Sequence, residues 1–133
     1  INKKDSECYG NLKKLIRLLK TLKVDSDNKI DISSYDIAAL AYNMPDKELQ
    51  VDSSYPLLLL KNCEKFFNEI ANYDQTRNSL QVPNKTRKIF GTQNVTLNEF
   101  LLLFDELKNA IQDIEESMPS YLFGPLEKSI INY

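Results

Sequence analysis

The chain has 133 residues, of which 42% are hydrophobic and 27% charged, and its formal net charge is −2. This length and composition indicate a single folded domain and exclude a disordered tail. The absence of histidine excludes Ser-His-Asp and Cys-His nucleophilic systems and histidine-based metal centres, while a pI near 5.2 argues against a general nucleic-acid binder.

The first predicted element is an amphipathic helix over residues 6–23, capped by Asp5 or Ser6. Its apolar residues recur at the 3.6-residue spacing that is typical of one buried helix face. These residues are Leu12, Leu15, Ile16, Leu19 and Leu22. Residues 25–28 are polar turn formers without periodicity, and they predict a loop after the helix.

Two further helices are predicted in the middle of the chain. One starts after Ser33, which can cap it, runs for about three turns and is stopped by Pro45. Residues 45–52 then form a connecting loop. The next helix opens with Pro56 in its first turn and runs to about Asn72.

The second half of the chain begins with a polar segment, residues 73–95, in which Pro83 and Gly91 break regular structure. We expect a mobile basic loop there, and its cations are Lys85, Arg87 and Lys88. A capping box at residues 96–99 introduces a long helix that Pro119 ends. Its buried side is predicted to hold Phe100, Leu103, Phe104, Leu107, Ala110, Ile111 and Ile114. Residues 120–133 include a short apolar segment that fits a final turn or helix.

The predicted fold is therefore all-α, a single bundle of about four main helices with a longer polar loop near residues 73–95. No apolar run approaches the roughly 20 residues that cross a bilayer, and residues 1–5 lack the apolar stretch of a signal peptide. We expect a cytoplasmic protein without membrane contact, in which Cys8 and Cys63 remain reduced thiols.

Few residues of the sequence are candidates for catalysis, metal binding or a phosphate-binding loop. The three glycines, at positions 10, 91 and 124, stand too far apart to form a phosphate-binding loop. Two cysteines cannot build a zinc site unaided, and the carboxylates of the long helix are spread around its outer face. The sequence thus predicts neither a catalytic residue nor a metal site in this chain.

Three cations share one face of the first helix. Lys13, Arg17 and Lys20 follow one another at i, i+4 and i+7, which places them within an arc of about 60° opposite the apolar stripe. Residues 1–23 carry a net charge of +5, whereas the remainder carries −7. A solvated helix face explains this row, and so does a phosphate clamp, because aligned cations neutralise the charges of a polyphosphate. Spacing alone does not separate the two.

A longer pattern joins the first two helices. Residues 10–22 read Gly-Asn-Leu-Lys-Lys-Leu-Ile-Arg-Leu-Leu-Lys-Thr-Leu, and after a polar loop residues 32–40 read Ile-Ser-Ser-Tyr-Asp-Ile-Ala-Ala-Leu. This order resembles the helical domain that follows the catalytic domain in nucleotidyltransferases. The relatives include oligoadenylate synthetases, bacterial cyclic-oligonucleotide synthases and noncanonical poly(A) polymerases, in which an Arg-x-x-Lys helix precedes a Ser-Ser-Tyr or Ser-Tyr helix start.

The resemblance implies a role for several residues. Lys20, together with Arg17, would contact the triphosphate of a nucleotide, with Lys13 as the third cation of the row. The Ser34 hydroxyl would do likewise, and Tyr35 would pack against the base. The plainer interpretation makes Ser33 and Ser34 ordinary helix caps and places Tyr35 at the edge of the core.

The resemblance also implies what this chain lacks. The Gly-Ser turn and the paired aspartates that hold Mg²⁺ in the family belong to the preceding catalytic domain, and nothing here matches them. We therefore expect residues 1–133 to be the C-terminal part of a two-domain chain, not catalytic alone. It would form one wall of the active-site cleft and position a nucleoside triphosphate for transfer to a hydroxyl of a nucleic-acid or nucleotide acceptor. The alternative is a non-catalytic helical module that binds an acidic protein partner.

Overall fold

The computed structural model describes residues 1–118, and this part of the chain is built from helices. The helices are α1 (Asn2–Glu7), α2 (Asn11–Asp25), α3 (Ser34–Tyr42), α4 (Asp46–Leu49), α5 (Pro56–Asn72), α6 (Asp74–Ser79) and α7 (Leu97–Ser117). Between residues 1 and 118 the extended backbone pairs only in two isolated bridges, Gln81 with Lys88 and Phe90 with Val95. The predicted all-α class is confirmed, with α2, α3, α5 and α7 as its four main helices.

The core lies where α7 packs between α5 and α2, and α2 in turn packs on α3. The predicted apolar face of α7 is confirmed, because Phe100, Leu103 and Phe104 are buried together with Leu107 and Ile111. The Phe67 ring of α5 meets the Phe100 ring of α7 at a centroid distance of 4.9 Å. Thr96 caps α7 by accepting a hydrogen bond from the Glu99 N–H at 3.3 Å.

The prediction of one helix over residues 6–23 is wrong, because the chain turns between α1 and α2. Tyr9 and Gly10 both adopt left-handed backbone angles, with φ of 61° and 78°, and such angles end a right-handed helix. Gly10, and not the predicted Asp5 or Ser6, is the N-cap of α2, while Oδ1 of Asp5 in α1 accepts a hydrogen bond from the Lys13 N–H at 2.8 Å. α2 therefore begins at Asn11, with its N-terminal turn held by α1.

Two of the segments predicted as loops contain short helices. α4 occupies half of residues 45–52, and α6 lies at the start of the segment 73–95. The expected mobile loop is packed instead, because its apolar residues Leu80, Val82, Ile89, Phe90 and Val95 are buried in the core. The Ile89 N–H donates to the Leu80 carbonyl at 3.0 Å, and the Val82 N–H donates to the Arg87 carbonyl at 3.1 Å. These contacts fix the cations of residues 85–88 relative to the bundle.

Cys8 and Cys63 are free, buried thiols, as predicted. Burial raises the pKa of the Cys63 thiol well above its usual range. Within residues 1–118, no helix combines the length and apolar character needed to cross a membrane. The predictions for Pro119 and for residues 120–133 lie outside the described residues.

Candidate functional site

The N-terminus of α3 presents two of the predicted site residues to solvent. Ser33 is its N-cap, accepting a hydrogen bond from the Asp36 N–H at 3.1 Å through its Oγ. Ser34 and Tyr35 follow in the first turn and are exposed. Tyr35 keeps 48% of its surface accessible, so a large part of the residue is open to solvent. The first turn of α3 thus offers a hydroxyl and an aromatic ring side by side.

Arg87, which we did not predict as a site residue, completes this corner. Its Nη2 lies 2.7 Å from Oδ1 of Asp36, and its Cζ lies 5.8 Å from the centroid of the Tyr35 ring. Asp36 is buried, and its Oδ2 accepts a second hydrogen bond from the Ser33 hydroxyl at 3.0 Å. The sequence contains an acidic residue in the first turn of α3 and a basic cluster at residues 85–88. No local sequence pattern predicts that these two lie in contact.

The row of cations on α2 points away from the core. Lys13 and Arg17 are exposed and Lys20 is half-buried, whereas the apolar face of α2 is buried. No carboxylate of residues 1–118 lies within 4.0 Å of these three side chains. The positive charges of the row are therefore not neutralised by ion pairs in the described part of the chain.

A single hydrogen bond ties the end of α2 to the start of α3. Lys23 Nζ donates to the Ile32 carbonyl at 2.5 Å, directly before the Ser33 cap. Lys20 precedes Lys23 by three residues and so lies on a neighbouring strip of the helix, whereas Lys13 lies about 10 Å farther along the axis. The hydrogen bond from Lys23 therefore joins the C-terminal half of α2, which carries Lys20, to the segment that leads into Ser34 and Tyr35.

The arrangement can bind an anion attached to a planar group. Unpaired cations and a helix N-terminus suit phosphate oxygens, and an exposed aromatic ring suits a base. Among residues 1–118, no three carboxylate or cysteine side chains lie close enough together to hold a metal ion. The described residues thus do not provide a Mg²⁺ site, which the resemblance assigns to the preceding catalytic domain.

Comparison with known proteins decides the family. The family model of the cGAS/DncV-like nucleotidyltransferase C-terminal helical domain matches residues 1–112. The chain belongs to this family. The resemblance inferred from residues 10–40 is thereby confirmed, and the helical domain described above is that of a nucleotidyltransferase.

Individual relatives agree with this assignment. The helical domain is 41% identical over 114 residues to the cyclic dinucleotide synthase CdnE of Yersinia aleksiciae, a match that covers 84% of this chain and 30% of that protein. It is 36% identical over 113 residues to a c-di-GMP synthase of Capnocytophaga granulosa, covering 85% and 31%. The solved structure of the STING-associated CdnE c-di-GMP synthase from Capnocytophaga granulosa superimposes with a TM-score of 0.76 at 34% identity, covering 88% of this chain and 38% of that one. The chain thus spans about a third of the length of these curated relatives.

Proposed function

We propose that this helical domain forms one wall of the active-site cleft of a cyclic dinucleotide synthase and positions a nucleoside triphosphate there. Lys20 and Arg17, with Lys13 at the far end of the row, neutralise the triphosphate. The Ser34 hydroxyl binds a phosphate oxygen, and the Tyr35 ring stacks on the base. The names of the similar proteins, cyclic dinucleotide synthase and c-di-GMP synthase, support this class of reaction.

One observation carries the proposal: α3 begins with an exposed serine and tyrosine, and α2, which packs on α3, carries a row of cations that have no ion-pair partner among residues 1–118. A solvated helix face explains the cations of α2 but not the exposed ring at the start of α3. A nucleoside triphosphate carries several negative charges at one end and a flat base at the other, and so matches both the row of cations and the exposed ring. Stacking of a base on an aromatic ring contributes about 1 to 3 kcal/mol.

The chemical step belongs to the other side of the cleft. There the oxygen of an acceptor hydroxyl attacks the α-phosphorus in line and gives up its proton to a base, and pyrophosphate leaves with the electron pair of the broken P–O bond. The relatives' names favour a second nucleotide as the acceptor over a nucleic acid. We place the Mg²⁺ site and the catalytic aspartates in a catalytic domain N-terminal to this one, and the whole protein in the cytoplasm.

The gene provides a test of the proposal that a catalytic domain precedes this helical domain. The codons upstream of Ile1 should encode a Gly-Ser turn followed by an Asp-x-Asp pair, and the complete protein should convert nucleoside triphosphates into a cyclic dinucleotide. A reading frame without that pair would contradict the proposal and favour the interaction module.

A test of the site compares substitutions in the complete protein by nucleotide titration. We expect Lys20→Ala to weaken triphosphate binding about tenfold through loss of a charge-assisted contact, and Tyr35→Ala to weaken it by about five- to a hundredfold through loss of stacking. Lys14→Ala, an exposed cation on another face of α2, and Tyr73→Ala, another exposed tyrosine, are the matched controls. Equal effects of the site and control variants would refute the assignment of these residues.

A further inference from the structure

Arg87 covers one face of the residue that we propose as the base platform. Its Cζ lies 5.8 Å from the Tyr35 ring centroid, a distance at which a guanidinium attracts the negative face of an aromatic ring. Tyr35 nevertheless keeps 48% of its surface accessible. One face of the ring is therefore occupied from within the domain, and much of the ring remains available to a ligand.

Arg87 is itself held firmly. Asp36, buried to 8% exposure, pairs with its Nη2 at 2.7 Å. The Lys88 carbonyl accepts a hydrogen bond from its Nη1 at 3.1 Å, and its own carbonyl accepts the Val82 N–H at 3.1 Å. Because Asp36 neutralises the guanidinium, Arg87 adds little net charge to the site.

We propose that Arg87 is a positioning residue, which backs the Tyr35 ring on one face so that the opposite face stacks on the nucleobase. This inference rests on the proposed function, and it extends the site to the segment between α6 and α7. The anchored guanidinium restricts the rotamers of Tyr35 before the ligand arrives, which lowers the entropy lost on binding. Arg87 thus affects the binding of the base, whereas the cations of α2 bind the phosphates.

The experiment separates these two parts of the ligand by titrating the complete protein with a nucleoside triphosphate and with inorganic tripolyphosphate. The test variant combines Asp36→Asn with Arg87→Gln, which removes the ion pair while preserving the net charge. We expect it to weaken nucleoside triphosphate binding about three- to tenfold and to change tripolyphosphate binding less than about twofold. The matched control combines Glu48→Gln with Lys65→Gln, an ion pair between α4 and α5, and should change neither affinity. Thermal unfolding of each variant verifies that it is folded.

A second arm tests whether Arg87 acts through Tyr35. In a Tyr35→Ala background, the Asp36→Asn and Arg87→Gln pair should have no further effect on nucleoside triphosphate binding. In the unliganded 133-residue chain, the same pair of substitutions should let Tyr35 exchange among several χ1 rotamers. The three-bond couplings that report χ1, measured by NMR, should then take averaged values.

The outcomes distinguish the two proposals. Equal losses for both ligands, or an unchanged loss in the Tyr35→Ala background, would overturn the positioning role while Lys20→Ala and Tyr35→Ala still support the cleft wall. Unchanged Tyr35 rotamers would overturn it too. If the unsubstituted protein binds neither ligand, both proposals fail.

Discussion

Asn11 is a polar side chain inside the core, with 4% of its surface exposed. Its Nδ2 donates to the Leu49 carbonyl at 2.7 Å and to the Val51 carbonyl at 2.8 Å. The Leu49 carbonyl also accepts the Val51 N–H at 2.9 Å, so the amide adds a second donor there and supplies one to the Val51 carbonyl. A residue pattern cannot show this role, because a polar residue at the start of a helix is ordinarily solvated. The partners, about 40 residues away, become apparent only in the folded chain.

We expect Asn11→Ala to lower the free energy of unfolding by about 2 kcal/mol, because the Val51 carbonyl loses its side-chain donor and the Leu49 carbonyl keeps only the Val51 N–H. Urea unfolding at constant slope measures the difference. Asn109→Ala, an exposed position on α7, should stay within about 0.5 kcal/mol of the unsubstituted chain. Equal stabilities of the two variants would show that the Asn11 hydrogen bonds contribute nothing.

At the scale of the helices, local periodicity predicted where helices form and which side they bury. The spacing of apolar residues identified the buried faces of α2 and α7, and prolines marked the end of α3 and the first turn of α5. The break between α1 and α2 escaped this reasoning, because a single glycine interrupts neither the apolar spacing nor the helical composition. The left-handed angle at Gly10 arises from the docking of α1 against the rest of the chain, which no short window of sequence contains.

The break supplies a prediction of its own. Gly10→Ala should destabilise the chain by roughly 1 to 2 kcal/mol, since a side chain strains the left-handed backbone. The added Cβ would meet no atom within 4 Å, so the cost comes from the backbone alone. Gly91→Ala is the control, because Gly91 lacks a positive φ and its added Cβ would come no closer than 3.4 Å to Asn94. Thermal unfolding compares the two variants, and a Gly10→Ala protein as stable as Gly91→Ala would contradict the strained turn.

At the scale of the whole molecule, half of the candidate site was open to prediction. The α2 and α3 residues are close in sequence, and the resemblance of residues 10–40 to the helical domain of nucleotidyltransferases is what named Lys20, Ser34 and Tyr35 in advance. The contact of Arg87 with Tyr35 spans 52 positions and depends on how the segment between α6 and α7 folds back on the bundle. The sequence of that segment is mostly polar, and its buried residues do not recur at the 3.6-residue spacing of a helix. A mobile loop was expected for this reason.

Phe100 of α7 joins the segment between α6 and α7 to the helical bundle through aromatic packing. Its ring lies 4.9 Å from that of Phe67 on α5 and 5.5 Å from that of Phe90, both as centroid distances. Phe90 lies three residues after Arg87, so the same aromatic cluster that joins α5 to α7 also supports the segment carrying the candidate site.

Phe100→Ala should therefore lower the free energy of unfolding by about 3 to 5 kcal/mol, through lost burial and a cavity among three packed regions. Urea unfolding followed by circular dichroism measures the change. Leu101→Ala, at the next position of the same helix but 37% exposed, should cost less than about 1 kcal/mol. Similar costs for the two variants would mean that the segment between α6 and α7 does not depend on this cluster. Its hydrogen bonds to α3, such as the one from Asn43 Nδ2 to the Gln81 carbonyl at 2.8 Å, would then have to hold Arg87 in place.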